Sequence, residues 1–163
     1  KPPMKVVNII GLVLVFVAFV LIGYYINEVD EASWRYWSNY DYSSYNYSYP
    51  DYSSITFEAA LVMVPFTLFF VLAYIWNMIK VKTTTTRVMA IIGLSFSLLI
   101  ILINLLVLGN PGSMDFTESG GFFIIYHIIN LAFFIVLLVQ SVRFEKKDNF
   151  GDLNTDIIDT EIV

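Results

Sequence analysis

Residues 88–108 read VMAIIGLSFSLLIILINLLVL, with no Asp, Glu, Lys or Arg. A helix rises about 1.5 Å per residue, so a run of about 20 apolar residues reaches across roughly 30 Å of hydrocarbon. Three more runs share this character, at about 6–26, 55–79 and 122–142, and Glu58, in the first turn of the second helix, is the single acid near any of them. The first run is too long for the apolar core of a removable signal peptide and reads as a retained anchor. The expected fold is therefore an all-α membrane protein with four transmembrane helices in an up-down antiparallel bundle.

Composition agrees. The chain has 163 residues, 58% hydrophobic and 14% charged, with a mean hydropathy of +0.71. Soluble domains carry roughly 25% charged residues, so lipid is the expected solvent. There is no cysteine, which removes disulfides, thiolate metal sites and cysteine nucleophiles. The net charge of −5 hides an asymmetry. Lys1, Lys5, Lys80, Lys82, Arg87, Arg143, Lys146 and Lys147 all flank one side of the four runs, and Arg35 alone falls on the other. This bias predicts an N-in/C-in arrangement, with both termini and the 81–87 connector cytoplasmic. Trp34, Trp37 and Trp76 suit interfacial aromatic belts.

Between the first two runs lies residues 34–52, WRYWSNYDYSSYNYSYPDY, within a predicted outer loop at 27–54. Tyr with Ser and Asn is the vocabulary of adaptable binding surfaces, because each ring gives contact area at low entropy cost. Trp34, Trp37, Tyr42, Tyr45, Tyr47 and Tyr49 are accordingly candidate interaction residues, with the rings lying on headgroups as the equally weighted alternative. Asn46-Tyr47-Ser48 matches a glycosylation sequon. Ser54 or Thr56 is expected to cap the second helix, and Pro65 to kink it. The tail at 143–163 mixes acids with Ile157, Ile158 and Ile162 and would be disordered alone, so it points to a partner.

Polar residues inside the runs are costly and mark either interhelical bonds or sites. An inner layer holds Asn8, Asn77 and Gln140, read as reaching headgroups or bonding between helices. An outer layer is expected to gather Glu58, Asn104, Tyr126, His127 and Asn130. In it, Tyr126, His127 and Asn130 share one helix face and form a candidate cofactor-binding or proton site. A lone His cannot make a bis-His haem within this chain, and with Glu58 it falls short of a catalytic zinc set. No cofactor and no metal is assigned, and the weightier reading of this cluster is a structural one. Gly93 and Ser97 form a small-xxx-small pair, with Asn104 on the same stripe, suited to close approach by a helix of this chain or of another protein.

No HExxH, GxSxG, P-loop or paired-carboxylate pattern is present, so an enzyme is not expected. A basic nucleic-acid surface is also lacking. The layout, with a larger first outer loop and a short second one, resembles claudin-like proteins in outline, but the first-loop cysteine pair of that family has no counterpart here. The sequence reading is a non-catalytic accessory or assembly subunit of a larger membrane complex. Its expected partners are membrane lipid and other membrane-protein subunits, with a bacterial inner membrane as the expected location. The alternatives are a redox or proton-coupled subunit with a cofactor or quinone contact at His127, and an oligomeric transporter or channel component.

Overall fold

The computed structural model describes residues 3–40, 50–80, 83–113 and 116–160, without the side chains of 113, 116–119 and 144–160. Tyr42, Tyr45, Tyr47, Tyr49 and the sequon lie outside the described residues. Four helices carry the chain: α1 (Met4–Ser38), α2 (Ser53–Lys80), α3 (Thr84–Gly109) and α4 (Phe116–Thr160), with a 3-10 turn at Pro111–Ser113 before the last. Each is long and apolar enough to cross a membrane, α4 over Gly120–Arg143.

The helices close a ring in chain order. α1 lies against α2 and α4, α3 against α2 and more loosely α4, and α2 meets α4 across the diagonal. Side-chain pairs fix the directions. Asn8 meets Asn77 and Tyr25 meets Glu58, so α1 and α2 run antiparallel. The bundle is all-α with neighbours up and down, as the apolar runs predict.

Burial shows why these helices pack. The buried positions of α1 are Met4, Asn8, Gly11, Val15, Ala18, Ile22, Tyr25 and Val29. Those of α3 are Thr86, Ala90, Gly93, Ser97, Ile100, Asn104 and Val107. Both alternate steps of four and three, the heptad spacing that keeps one seam facing a partner in left-handed bundles. Positions off the seam are apolar and exposed, among them Val20, Leu72, Leu106 and Phe122, as lipid-facing walls require.

The helix limits depart from the apolar runs in three places. α1 does not stop at Ile26 but continues to Ser38, taking 12 of the 28 residues of the expected loop into helix. Local bonds support this overhang: Asn27 Nδ2 donates to Glu31 Oε1 at 3.0 Å, and Arg35 pairs with Glu31 at 3.2 Å. Trp34 and Trp37 therefore stand about 12 and 16 Å beyond Ile26 along the axis at 1.5 Å per residue. Both indoles thus lie well past the end of the apolar run. α3 begins earlier than its apolar run, at Thr84, where the Thr83 and Thr86 hydroxyls bond at 2.8 Å. α4 starts before its run and its backbone stays helical through the tail to Thr160.

The cap of α2 also differs from expectation. Asp51 Oδ1 accepts the Ser53 N–H at 2.9 Å, ahead of both Ser54 and Thr56. This bond holds the Asp51 carboxyl below its usual range. α2 remains one helix through Pro65.

Candidate functional site

Among the described residues, the polar side chains of the seam are the candidates for chemistry inside the bundle, and their order along the axis decides what they can do. At the end carrying Lys5, Lys80, Arg87 and Arg143, hereafter the basic end, the two fully buried amides of Asn8 and Asn77 bond reciprocally. Asn8 Nδ2 donates to Asn77 Oδ1 at 3.1 Å, and Asn77 Nδ2 to Asn8 Oδ1 at 2.8 Å. Asn77 Nδ2 also reaches Ala73 O at 2.8 Å. Of the two fates expected for these amides, bonding between helices is the one observed. Gln140 is only partly buried.

One layer further in, Gly93 and Gly11 act as sockets. A Cβ on Gly93 would collide with the ring of Tyr74, and one on Gly11 with the ring of Phe134. Tyr74 and Phe134 then stack, with centroids 5.3 Å apart and planes at 16°. The Tyr74 hydroxyl donates to Asn130 Oδ1 at 2.6 Å, and Ser97 Oγ and Tyr126 OH share a bond of 2.7 Å. The Gly93–Ser97 pair is thus filled by α2 and α4 of the same chain. Asn104 also points inward, fully buried.

His127 is 1% exposed, and its neighbours are rings. Phe19, Phe70 and Tyr126 lie 6.0, 5.9 and 5.0 Å from it, centroid to centroid. Phe19, Phe70 and Ser97 all sit near the middle of their apolar runs. Tyr126, His127 and Asn130 therefore occupy the mid-level of the bundle and not the outer layer expected for them. The sequence estimate counts depth along α4 alone, whereas the level is set by the side chains met on α1, α2 and α3. Asn104 lies farther out: it is two turns past Ser97, whose partner is Tyr126. Glu58 is exposed at the rim, where Tyr25 OH donates to its Oε1 at 3.4 Å. The expected single layer is in fact three levels.

Satisfaction of these groups is uneven. Both amide atoms of Asn104, the Nδ1 of His127, the Nδ2 of Asn130 and the Nε1 of Trp76 are buried without a hydrogen-bond partner. Among the described residues no three His, Cys, Asp or Glu side chains come together to hold a metal ion. What His127 offers is one unpartnered ring nitrogen inside an aromatic cage.

Tyr74 is the residue that sequence reading passes over, although it anchors both Gly93 and Asn130. Its signal was legible: Thr67, Phe70, Tyr74 and Asn77 follow the same three-four spacing as the seam of α1. Of the expected interaction residues, Trp34 and Trp37 are exposed on the α1 overhang, at 73% and 45%.

The chain matches no protein-family model, and no curated protein and no solved structure matches it.

Proposed function

We propose that this chain is a non-catalytic accessory or assembly subunit of a larger membrane complex. The observation that supports it most is the division between inside and outside. Inside, most aromatic side chains and the polar groups of Asn8, Asn77, Tyr74, Ser97 and Tyr126 are used in fitting the four helices to one another. Outside, the walls are apolar, and one helix carries exposed indoles well past its apolar run. Such a molecule offers surfaces for other helices and for a partner beyond the bilayer.

In this reading the basic end faces the cytoplasm, because Lys5, Lys80, Arg87 and Arg143 gather there, while Glu28, Asp30, Glu31, Asp51 and Glu58 mark the opposite end. A Cys-free chain rich in Ile, Asn, Tyr and Phe suits a bacterial inner membrane. The test is isolation from native membranes in mild detergent: a defined set of subunits should accompany the chain in fixed stoichiometry. A chain that leaves the membrane alone, as a stable monomer, refutes the proposal.

A second reading has one observation in its favour, the buried and unpartnered Nδ1 of His127. It makes the chain a proton- or cofactor-coupled subunit. An absorption spectrum of the native complex without a haem band, together with full activity of that complex carrying His127→Ala, decides against it.

A further inference from the structure

We propose that the strip Asp30–Trp34–Trp37 on the α1 overhang docks a basic segment of a partner protein. The proposal rests on the accessory-subunit reading and names the chemistry of the partner it requires. These residues are four and three apart, so they share one helix face. Val29, on a different face, is buried against Ala59 of α2 and holds the overhang to the bundle. The strip therefore lies about a quarter-turn round the helix from the face that packs on α2, with Asp30, Trp34 and Trp37 all exposed.

Three features select a cationic occupant. Trp34 is 73% exposed and open to a ligand, while Trp37, 45% exposed, packs against Tyr36 and Tyr40 and widens the aromatic surface beside it; an indole face attracts Lys and Arg more strongly than other aromatic rings do. Asp30 is exposed one turn before Trp34, so a cation on that indole meets a carboxylate as well. The charge of this end is one-sided. Glu28, Asp30, Glu31, Asp51 and Glu58 face a single described cation, Arg35, whose guanidinium already lies 3.2 Å from Glu31. Lipid is the weaker occupant: Asn27, Glu28, Asp30 and Glu31 separate the indoles from the end of the apolar run, and exposed carboxylates disfavour contact with an anionic surface.

The full chain in zwitterionic nanodiscs, carrying Trp76→Phe so that only Trp34 and Trp37 fluoresce, is titrated with a synthetic Lys/Arg-Gly peptide and with its Ser-Gly counterpart. The expected result is a saturable change in fluorescence for the basic peptide alone, weakening as salt shortens the screening length. In a label-free binding assay, Trp34→Ala with Trp37→Ala should weaken the peptide by about tenfold, and Asp30→Asn by about threefold. Equal response to both peptides, or none, overturns the proposal. So does quenching of the two indoles by headgroup-labelled lipid, which would put the strip on the bilayer. The two proposals fail separately. If subunits co-purify undiminished with the double Trp variant, the docking strip is wrong and the accessory reading stands. If nothing accompanies the wild type, the accessory reading is wrong whatever the peptide does.

Discussion

The two halves of the buried seam are built on different terms. Toward the basic end, Asn8 and Asn77 satisfy each other and two glycines receive two rings, with the Nε1 of Trp76 the one buried atom among the described residues there that lacks a partner. From mid-level outward, His127, Asn130 and Asn104 each leave a polar atom without a partner. A satisfied buried amide pair ties two helices together, whereas an unsatisfied one carries a desolvation cost with nothing set against it. The first half therefore reads as the structural lock, and the second as the part that stability alone does not explain.

The sharpest way to break the lock is at a socket. Gly93→Val places carbon where the Tyr74 ring stands, and overpacking of this kind costs about 3 kcal/mol. Equilibrium unfolding in mixed micelles should show that loss, and an unchanged midpoint would mean that α3 can draw back from α2. Asn8→Leu should cost about 1–2 kcal/mol, since it strands part of the Asn77 amide. The paired replacement Asn8→Leu with Asn77→Leu should recover much of that cost. Additive losses would deny the reciprocal bond.

On the other half the sign should reverse. Asn104→Leu removes two polar atoms that have no partner and His127→Phe removes one, the Nδ1, so each is expected to be neutral or stabilising by up to about 1 kcal/mol in the same assay. Marked destabilisation by either would show that the group has a partner in the membrane, and would turn attention to a site there.

The smallest effect lies outside the membrane. Asp51 is fully exposed, and its carboxyl is lowered mainly by the Ser53 N–H. A lowered folded-state pKa contributes stability that is complete above the unfolded value and is lost as pH falls through the folded one. A carboxyl NMR titration should place Asp51 below the ordinary aspartate range, and Asp51→Asn should abolish the pH dependence at the start of α2. A normal titration midpoint would show that the cap is not held in solution.

Much of the fold is legible in residues because lipid imposes a simple rule on length and polarity. Four apolar runs, with Glu58 the single charge in them, correspond to four helices, and the Gly93–Ser97 stripe marks a close approach. Depth was less legible. Hydropathy counts depth along one helix, while the level of His127 is set by how α4 is shifted against its neighbours, through Phe19 and Phe70. The overhang was missed for a related reason. Asn27, Glu31 and Arg35 end the apolar run, yet their spacing supports the helix that they make polar. The bonding partners of Asn130 and Ser97 could not be assigned, because they depend on which helices stand side by side.

Tyr74 touches α3 through Gly93 and α4 through both Phe134 and Asn130, while belonging to α2. A single ring shared by three helices couples their fates: no one of them can leave the bundle without exposing the surfaces of the other two. Disassembly of this protein should consequently proceed as one concerted event, and not by the peeling away of successive hairpins.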